Sequence, residues 1–127
     1  MRLLFFFFFL LIVASFTSAY VRKDNPFETA NKIQAQLNSN VQSNNRWGVM
    51  SMMKNDFNYQ DCNGRNYNSN QFADALMKSR ESGKVETARA DKDNIIYRAL
   101  YGDKLREFMI QKTTNGYYYK NGQQTLC

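Results

Sequence analysis

Apolar residues in the first part of the chain recur at helical spacing. From Phe27 to Val41 they come every three or four positions, which is the period of an amphipathic helix. Asn25 supplies an N-cap, Pro26 suits the first helical position, and Glu28 completes a capping box. The pattern therefore predicts a helix that begins at Pro26 and buries one face. The residues expected to face away from the core are Lys32, Gln34, Gln36 and Asn38.

Two shorter helices are predicted further along. The segment Trp47–Met53 places Trp47 and two methionines on one side, and the methionines would fill gaps in a core. Asn68, followed three positions later by Gln71, has the form of a second capping box. That helix is expected to stop near Ser82-Gly83, because glycine takes the left-handed conformation of a helix end without strain.

The remaining apolar positions alternate with polar ones, which is the period of a strand. Alternation puts Phe108 and Ile110 on one face and Glu107 and Met109 on the other. Helices followed by a meander predict an α+β domain, in which a curved antiparallel sheet packs its inner face on the N-terminal helices. The predicted strands are Phe57–Tyr59, Val85–Ala90, Ile95–Tyr101, Leu105–Gln111 and Tyr117–Tyr119, with Asn121-Gly122 as a turn behind the last.

The amino terminus has the composition of a secretory signal. Arg2 precedes an apolar run that is too short to span a membrane, and Thr17 and Ala19 are small residues at the positions expected before a cleavage site. We predict a signal peptide over residues 1–19, a mature domain over residues 20–127, no membrane span after cleavage and an extracellular location. An uncleaved signal anchor is the alternative.

The two cysteines, Cys62 and Cys127, both lie in the predicted mature domain. An oxidising compartment favours their pairing, and closing a loop of this length is worth about 4 kcal/mol in the chain-entropy model. Free thiols, or a bridge between two chains through Cys127, are the alternatives.

Charge and composition exclude several functions. Seventeen basic and 11 acidic residues give a net charge of +6, but the basic residues are scattered, so no nucleic-acid partner is expected. The chain has no histidine, which excludes hydrolases with a histidine base and zinc sites built on histidine. No cofactor, no metal and no catalytic residue is predicted.

Several motifs together resemble a known family. The spacing Cys-x-Gly-x-x-Tyr followed by Gln-Phe is the most specific of them. On these motifs the mature chain resembles the small secreted nuclear transport factor 2-like domain proteins common in nematodes. The residues that carry the resemblance are Phe27, Ala30 and Leu37 of the first helix, Asp56-Phe57, Tyr59, Cys62-Asn63-Gly64, Tyr67, Gln71-Phe72, the run Lys112 to Tyr117, and Cys127.

The resemblance implies a cone-shaped fold, also called cystatin-like, in which a bent sheet encloses a cavity closed by helices. The fold hosts many functions, so the activity does not follow from it. We expect a non-enzymatic binding module for a small apolar ligand or a protein partner. A homodimer through the open face of the sheet, which we expect to carry Arg98 and Arg106, is also compatible with the resemblance. The predicted cavity-lining residues are Tyr97, Phe108, Ile110 and Tyr118.

Two alternatives belong to other functional classes. An isomerase- or dehydratase-like enzyme would need a carboxylate with a raised pKa inside the cone, assisted by a tyrosine. A cystatin-type protease inhibitor would share the arrangement of a helix on a sheet, but its Gln-x-Val-x-Gly loop is absent from this sequence. The carboxylates available to an enzyme are Asp56, Asp61, Glu86 and Glu107, and the tyrosines are Tyr97, Tyr101 and Tyr118.

Overall fold

The computed structural model, which describes residues 25–127, contains three helices, of which two precede the first strand and the third lies between the second and third strands. The predicted signal peptide lies outside the described residues. No helix within the described range is long and apolar enough to cross a membrane. The helices are α1 (Pro26–Gln42), α2 (Arg46–Ser51) and α3 (Ser69–Ser79).

The helix starts form as the sequence predicts. The side chain of Asn25 accepts hydrogen bonds from the backbone N–H of Phe27 at 3.0 Å and of Glu28 at 3.3 Å. Asn68 and Gln71 make a reciprocal capping box, with both hydrogen bonds between 2.9 and 3.0 Å. These bonds satisfy N–H groups that have no partner within the helix, so both starts are defined locally.

The end of α3 differs from the prediction. The helix stops at Ser79, and Arg80 rather than Gly83 takes the left-handed conformation, with φ of 54°. Gly83 has a different role, because a Cβ atom there would lie 2.5 Å from the ring of Tyr101. The glycine allows close packing beneath a tyrosine and does not end the helix.

The sheet has six strands in the order β2-β1-β6-β5-β4-β3. The α+β class is confirmed, although the sheet is mixed because β1 joins β6 in parallel, with Gln60 beside Gln123. The other neighbouring strands are antiparallel. The strands are β1 (Met53–Gln60), β2 (Asn66–Tyr67), β3 (Lys84–Asp91), β4 (Asn94–Tyr101), β5 (Lys104–Thr113) and β6 (Gly116–Thr125).

The prediction of a turn at Asn121-Gly122 is wrong. Asn121 and Gly122 lie inside β6, where they pair with Met109 and Phe108. A Cβ atom at Gly122 would lie 2.6 Å from the ring of Phe108 and 2.9 Å from that of Tyr59. Glycine is required here by the two rings that cover it. The register of β5 and β6 shifts between Met109 and Ile110, and a bulge of this kind bends the sheet.

The core lies between the helices and one face of the sheet. Helix α1 packs on β3 and β4, and α3 packs on β1. Trp47 lies outside this core, since its side chain is 77% exposed. Helix α2 has only six residues, and the one fully buried among them is Val49. We call the core-facing side of the sheet the inner face and the opposite side the outer face.

Candidate functional site

Three of the four predicted cavity-lining residues meet on the inner face. Tyr97, Phe108 and Ile110 are almost fully buried, and Tyr97 and Phe108 are cross-strand partners with ring centroids 5.6 Å apart. Tyr118 pairs with Gln111 on the outer face, and its neighbour Tyr119 points inward instead. That these residues bind a ligand stays a prediction.

A chain of hydrogen bonds links the inner tyrosines to helix α1. The hydroxyl of Tyr97 donates to Oε1 of Gln34 at 2.8 Å and lies 2.5 Å from the hydroxyl of Tyr119. Nε2 of Gln34 donates to the hydroxyl of Tyr101 at 2.7 Å and to Oδ1 of Asn38 at 2.9 Å. The polar groups of the inner face therefore bond mainly to one another.

The prediction that Gln34 faces away from the core is wrong, because its side chain is buried. Its position in the sequence indicates this burial, since Gln34 lies four residues after Ala30 and three before Leu37, both of which are buried. A polar residue on an apolar stripe calls for a buried partner, and the tyrosines supply it.

Burial keeps these tyrosines uncharged. It raises the pKa of Tyr97 and of Tyr119 well above the ordinary value of 10.0 and that of Tyr101 to about 12. They act as neutral hydrogen-bonding groups, and none is poised to exchange a proton near neutral pH.

Three of the carboxylates considered for catalysis lie away from these tyrosines. Asp56 and Glu86 are exposed. Glu107 lies on the outer face, where its Oε2 accepts a hydrogen bond from Nε of Arg98 at 3.0 Å. None of the three supplies the interior carboxylate that the enzymatic alternative requires.

The fourth carboxylate, Asp61, organises a turn. It accepts hydrogen bonds from the backbone N–H groups of Asn63 and Arg65 and from the hydroxyl of Tyr67, each at 2.9 Å. Desolvation opposes ionisation, but these hydrogen bonds outweigh it and lower the pKa of Asp61 below its ordinary value. The group is ionised at neutral pH and structural in its contacts.

The prediction that Arg106 lies on the open, outer face of the sheet is wrong. Its side chain points inward and is 8% exposed, because alternation along β5 places it on the same side as Phe108 and Ile110. Nε of Arg106 donates to the hydroxyl of Tyr59 at 3.1 Å. The centre of the guanidinium lies 4.5 Å from the ring centroid of Tyr101, at cation–π distance.

The outer face carries an open groove of about 320 Å³. Ile96 and Met109, which are cross-strand partners, form its half-buried apolar centre. Side-chain amides from β1 and β6 line the groove on one side of this pair, and the carboxylate of Glu107 lies two residues from Met109 on the same face. The lining residues are Asn58, Gln60, Ile96, Glu107, Phe108, Met109, Asn121, Gly122 and Gln123.

The sequence contains a signal for this groove. Asn58 and Gln60 flank the buried Tyr59, and Asn121 and Gln123 flank the buried Gly122. In strands these flanking positions share one face, so four amides were placed together by alternation. The four amides lie together because β1 and β6 pair in parallel, and no local sequence pattern predicts that pairing.

Cys62 and Cys127 form a disulfide, with their Cα atoms 5.4 Å apart. Each cysteine lies two residues beyond the end of its strand, so the bridge extends the parallel β1–β6 pair. Within residues 25–127, no group of three or more His, Cys, Asp or Glu side chains could hold a metal ion.

Helices packed on the inner face of a bent mixed sheet define a cone-shaped α+β protein. A family model described as an NTF2-like domain matches residues 27–127, and the chain belongs to this family. No curated protein matches the sequence.

Solved structures share the fold. An NTF2-like protein from Cytophaga hutchinsonii is 11% identical with a TM-score of 0.62, and the alignment covers 82% of this chain and 100% of that one. An NTF-2 like protein of unknown function from Shewanella oneidensis is 7% identical with a TM-score of 0.61, over 76% of this chain and 96% of that one. A de novo designed protein with a curved β-sheet is 16% identical with a TM-score of 0.58, over 72% and 91%. Likeness at these identities shows the fold alone.

Proposed function

We propose that this protein is a secreted, non-enzymatic binding module that recognises a protein partner through the outer face of its sheet. The open groove centred on Ile96 and Met109 carries the proposal. The inner face offers less, because its hydroxyls bond to one another and its rings pack together.

The lining of the groove favours a protein over a small apolar ligand. Small-molecule sites enclose most of their ligand and are mainly apolar, whereas this groove is open and lined on one side by amides. Protein interfaces combine apolar contacts with polar groups that form hydrogen bonds, and this groove places an apolar pair beside a row of amides. Arg98, whose side chain is 50% exposed, adds a charge at the edge.

The partner that the chemistry of the face fits is a second copy of the chain. A two-fold interface must be self-complementary, and side-chain amides are both donors and acceptors, so rows of them can pair across a two-fold axis. Arg98 and Glu107 offer both signs of charge to the other copy. The family resemblance also supports pairing at this face.

Sedimentation of purified protein across a wide concentration range tests the pairing. We expect the wild type to dimerise and Met109→Arg to sediment as a monomer with an unchanged circular dichroism spectrum, because a charge would replace the apolar centre. Gln36→Arg adds the same charge on the exposed side of α1 and should dimerise like the wild type. A wild type that stays monomeric throughout, or a Met109→Arg variant that pairs normally, would contradict the proposal.

We also propose that residues 1–19 direct export and that the domain starts at Tyr20. The disulfide supports an oxidising compartment. Intact mass spectrometry of protein secreted from a eukaryotic host, before and after reduction and alkylation, tests this. A mass that begins at Tyr20, with two thiols labelled only after reduction, is expected. A retained signal, or thiols that label without reduction, would refute export of a disulfide-bonded domain.

A further inference from the structure

Arg106 is a buried cation that has no counter-ion among residues 25–127. The described part of the chain contains two ion pairs, Arg46–Asp74 and Arg98–Glu107, and neither includes it. Its Nη1 atom is buried and has no hydrogen-bond partner among the described residues. Arginine is rarely buried unless it is paired, so both the charge and the donor need an explanation.

The surroundings of Arg106 hold its guanidinium in place. Three rings lie within cation–π distance, with their centroids 4.5 Å (Tyr101), 5.7 Å (Tyr59) and 5.8 Å (Phe72) from its central carbon. Nε is fixed by the hydroxyl of Tyr59. A planar guanidinium held in this way presents its remaining N–H groups at fixed positions, which is the arrangement that binds an oxyanion with two parallel hydrogen bonds.

The rings do not replace a counter-ion. They stabilise the cation through their π faces, but they carry no negative charge, and Nη1 has no hydrogen-bond partner among the described residues. The cross-strand neighbours of Arg106 are Ala99 and Gln124, neither of which carries a charge. A negative group with oxygen acceptors would match both the charge and the unpaired donor of Arg106.

We propose that Arg106 is the anchor of an oxyanion-binding site, in which a carboxylate, sulfate or phosphate group accepts hydrogen bonds from its terminal N–H groups. The side chain retains 8% exposure, so the anion is small or is the end group of a larger ligand. The site lies on the inner face and is independent of pairing through the outer face.

Arginine side-chain NMR of the wild-type protein is the primary test. The Nε–H signal of Arg106 is followed while sodium sulfate, sodium phosphate or sodium acetate replaces sodium chloride at constant ionic strength. A saturable shift with an oxyanion and none with chloride is expected. Strongest binding of acetate would identify a carboxylate site, and strongest binding of sulfate or phosphate a tetrahedral-anion site. Absence of a saturable shift with all three oxyanions would overturn the proposal.

A pair of variants separates this site from general salt effects. In Arg106→Met we expect oxyanion affinity, measured by calorimetry, to fall at least about tenfold, because a charge-assisted pair of hydrogen bonds is lost. Lys32→Met removes a charge from the exposed side of α1 and should bind within about twofold of the wild type. Equal binding by Arg106→Met and the wild type would contradict the site. If Arg106→Met does not fold, the wild-type titration still decides the question.

Discussion

The two faces of the sheet handle polar groups in opposite ways. On the inner face, Gln34 joins the hydroxyls of Tyr97 and Tyr101 in bonds of 2.7 to 2.8 Å, sealed by aromatic rings. On the outer face, amides such as Asn121 and Gln123 remain exposed to solvent. Groups that satisfy one another stabilise the fold, whereas exposed groups can bond to a partner. The hydroxyl network of the inner face therefore stabilises the fold, whereas the outer face offers the groups that the proposed pairing needs. Arg106 is an exception on the inner face, because its Nη1 atom has no partner among the described residues.

The sharpest test of this division uses two neighbouring residues. Phe108→Ala should lower the free energy of unfolding by about 3 to 5 kcal/mol, because it empties the centre of the inner face. Met109→Ala, one residue along and on the outer face, should change it by less than about 1 kcal/mol. Urea unfolding at a concentration where the chain is monomeric measures both. Similar losses of unfolding free energy in the two variants would show that the two faces contribute equally to stability.

Alkaline pH should weaken the inner face selectively. Because the folded pKa of Tyr101 is raised from 10.0 to about 12, its contribution to stability is fully present below pH 10.0 and is lost as the pH rises to about 12. Two pKa units correspond to about 3 kcal/mol for this tyrosine alone. Unfolding free energies at neutral and alkaline pH, with tyrosinate absorbance followed in parallel, measure the loss. Tyr101→Phe should lose less, and a wild-type profile that stays flat through this window would refute the role assigned to burial.

Crowding at Gly122 gives a smaller effect. Gly122→Ala should cost about 1 to 3 kcal/mol, because the new methyl group meets the rings of Phe108 and Tyr59. The neighbouring Asn121→Ala, on the outer face, should stay within about 0.5 kcal/mol. Thermal unfolding compares the two variants. An unchanged melting temperature for Gly122→Ala would mean that the rings move aside without cost.

The smallest effect is expected on the outer face itself. Glu107→Gln removes the ion pair with Arg98, whose side chain is half exposed, and should change the unfolding free energy by less than about 1 kcal/mol. The change should shrink further at high salt. Chemical denaturation at two salt concentrations checks this. A large loss that salt does not reduce would assign the outer face a structural role.

Local features of the fold were predictable from the sequence. The cap at Asn25, the capping box at Asn68 and the strand that follows Asn94 depend on neighbouring residues, so short-range patterns were sufficient. Alternation along β5 also placed Phe108 and Ile110 together. These features involve residues that are close in the chain.

Features that depend on distant partners were missed. Gln34 faces inward because it meets Tyr97 and Tyr101, more than 60 residues away. Asn121-Gly122 has the composition of a turn, but the rings of Tyr59 and Phe108 require a glycine within the strand. The amide groove needs β1 and β6 side by side, and no local pattern specifies that pairing.

The disulfide bears on this same distant pairing. Strands β1 and β6 are the sheet neighbours that are furthest apart in sequence, so their encounter has the largest loop-closure cost during folding. Cys62 and Cys127, 65 residues apart, lie just beyond the ends of these two strands. With the bridge intact, an unfolded chain already holds the two strand ends together. Refolding of the oxidised chain should therefore be faster than refolding of the reduced chain, because the slowest contact of a high-contact-order topology is kept in place by a covalent bond.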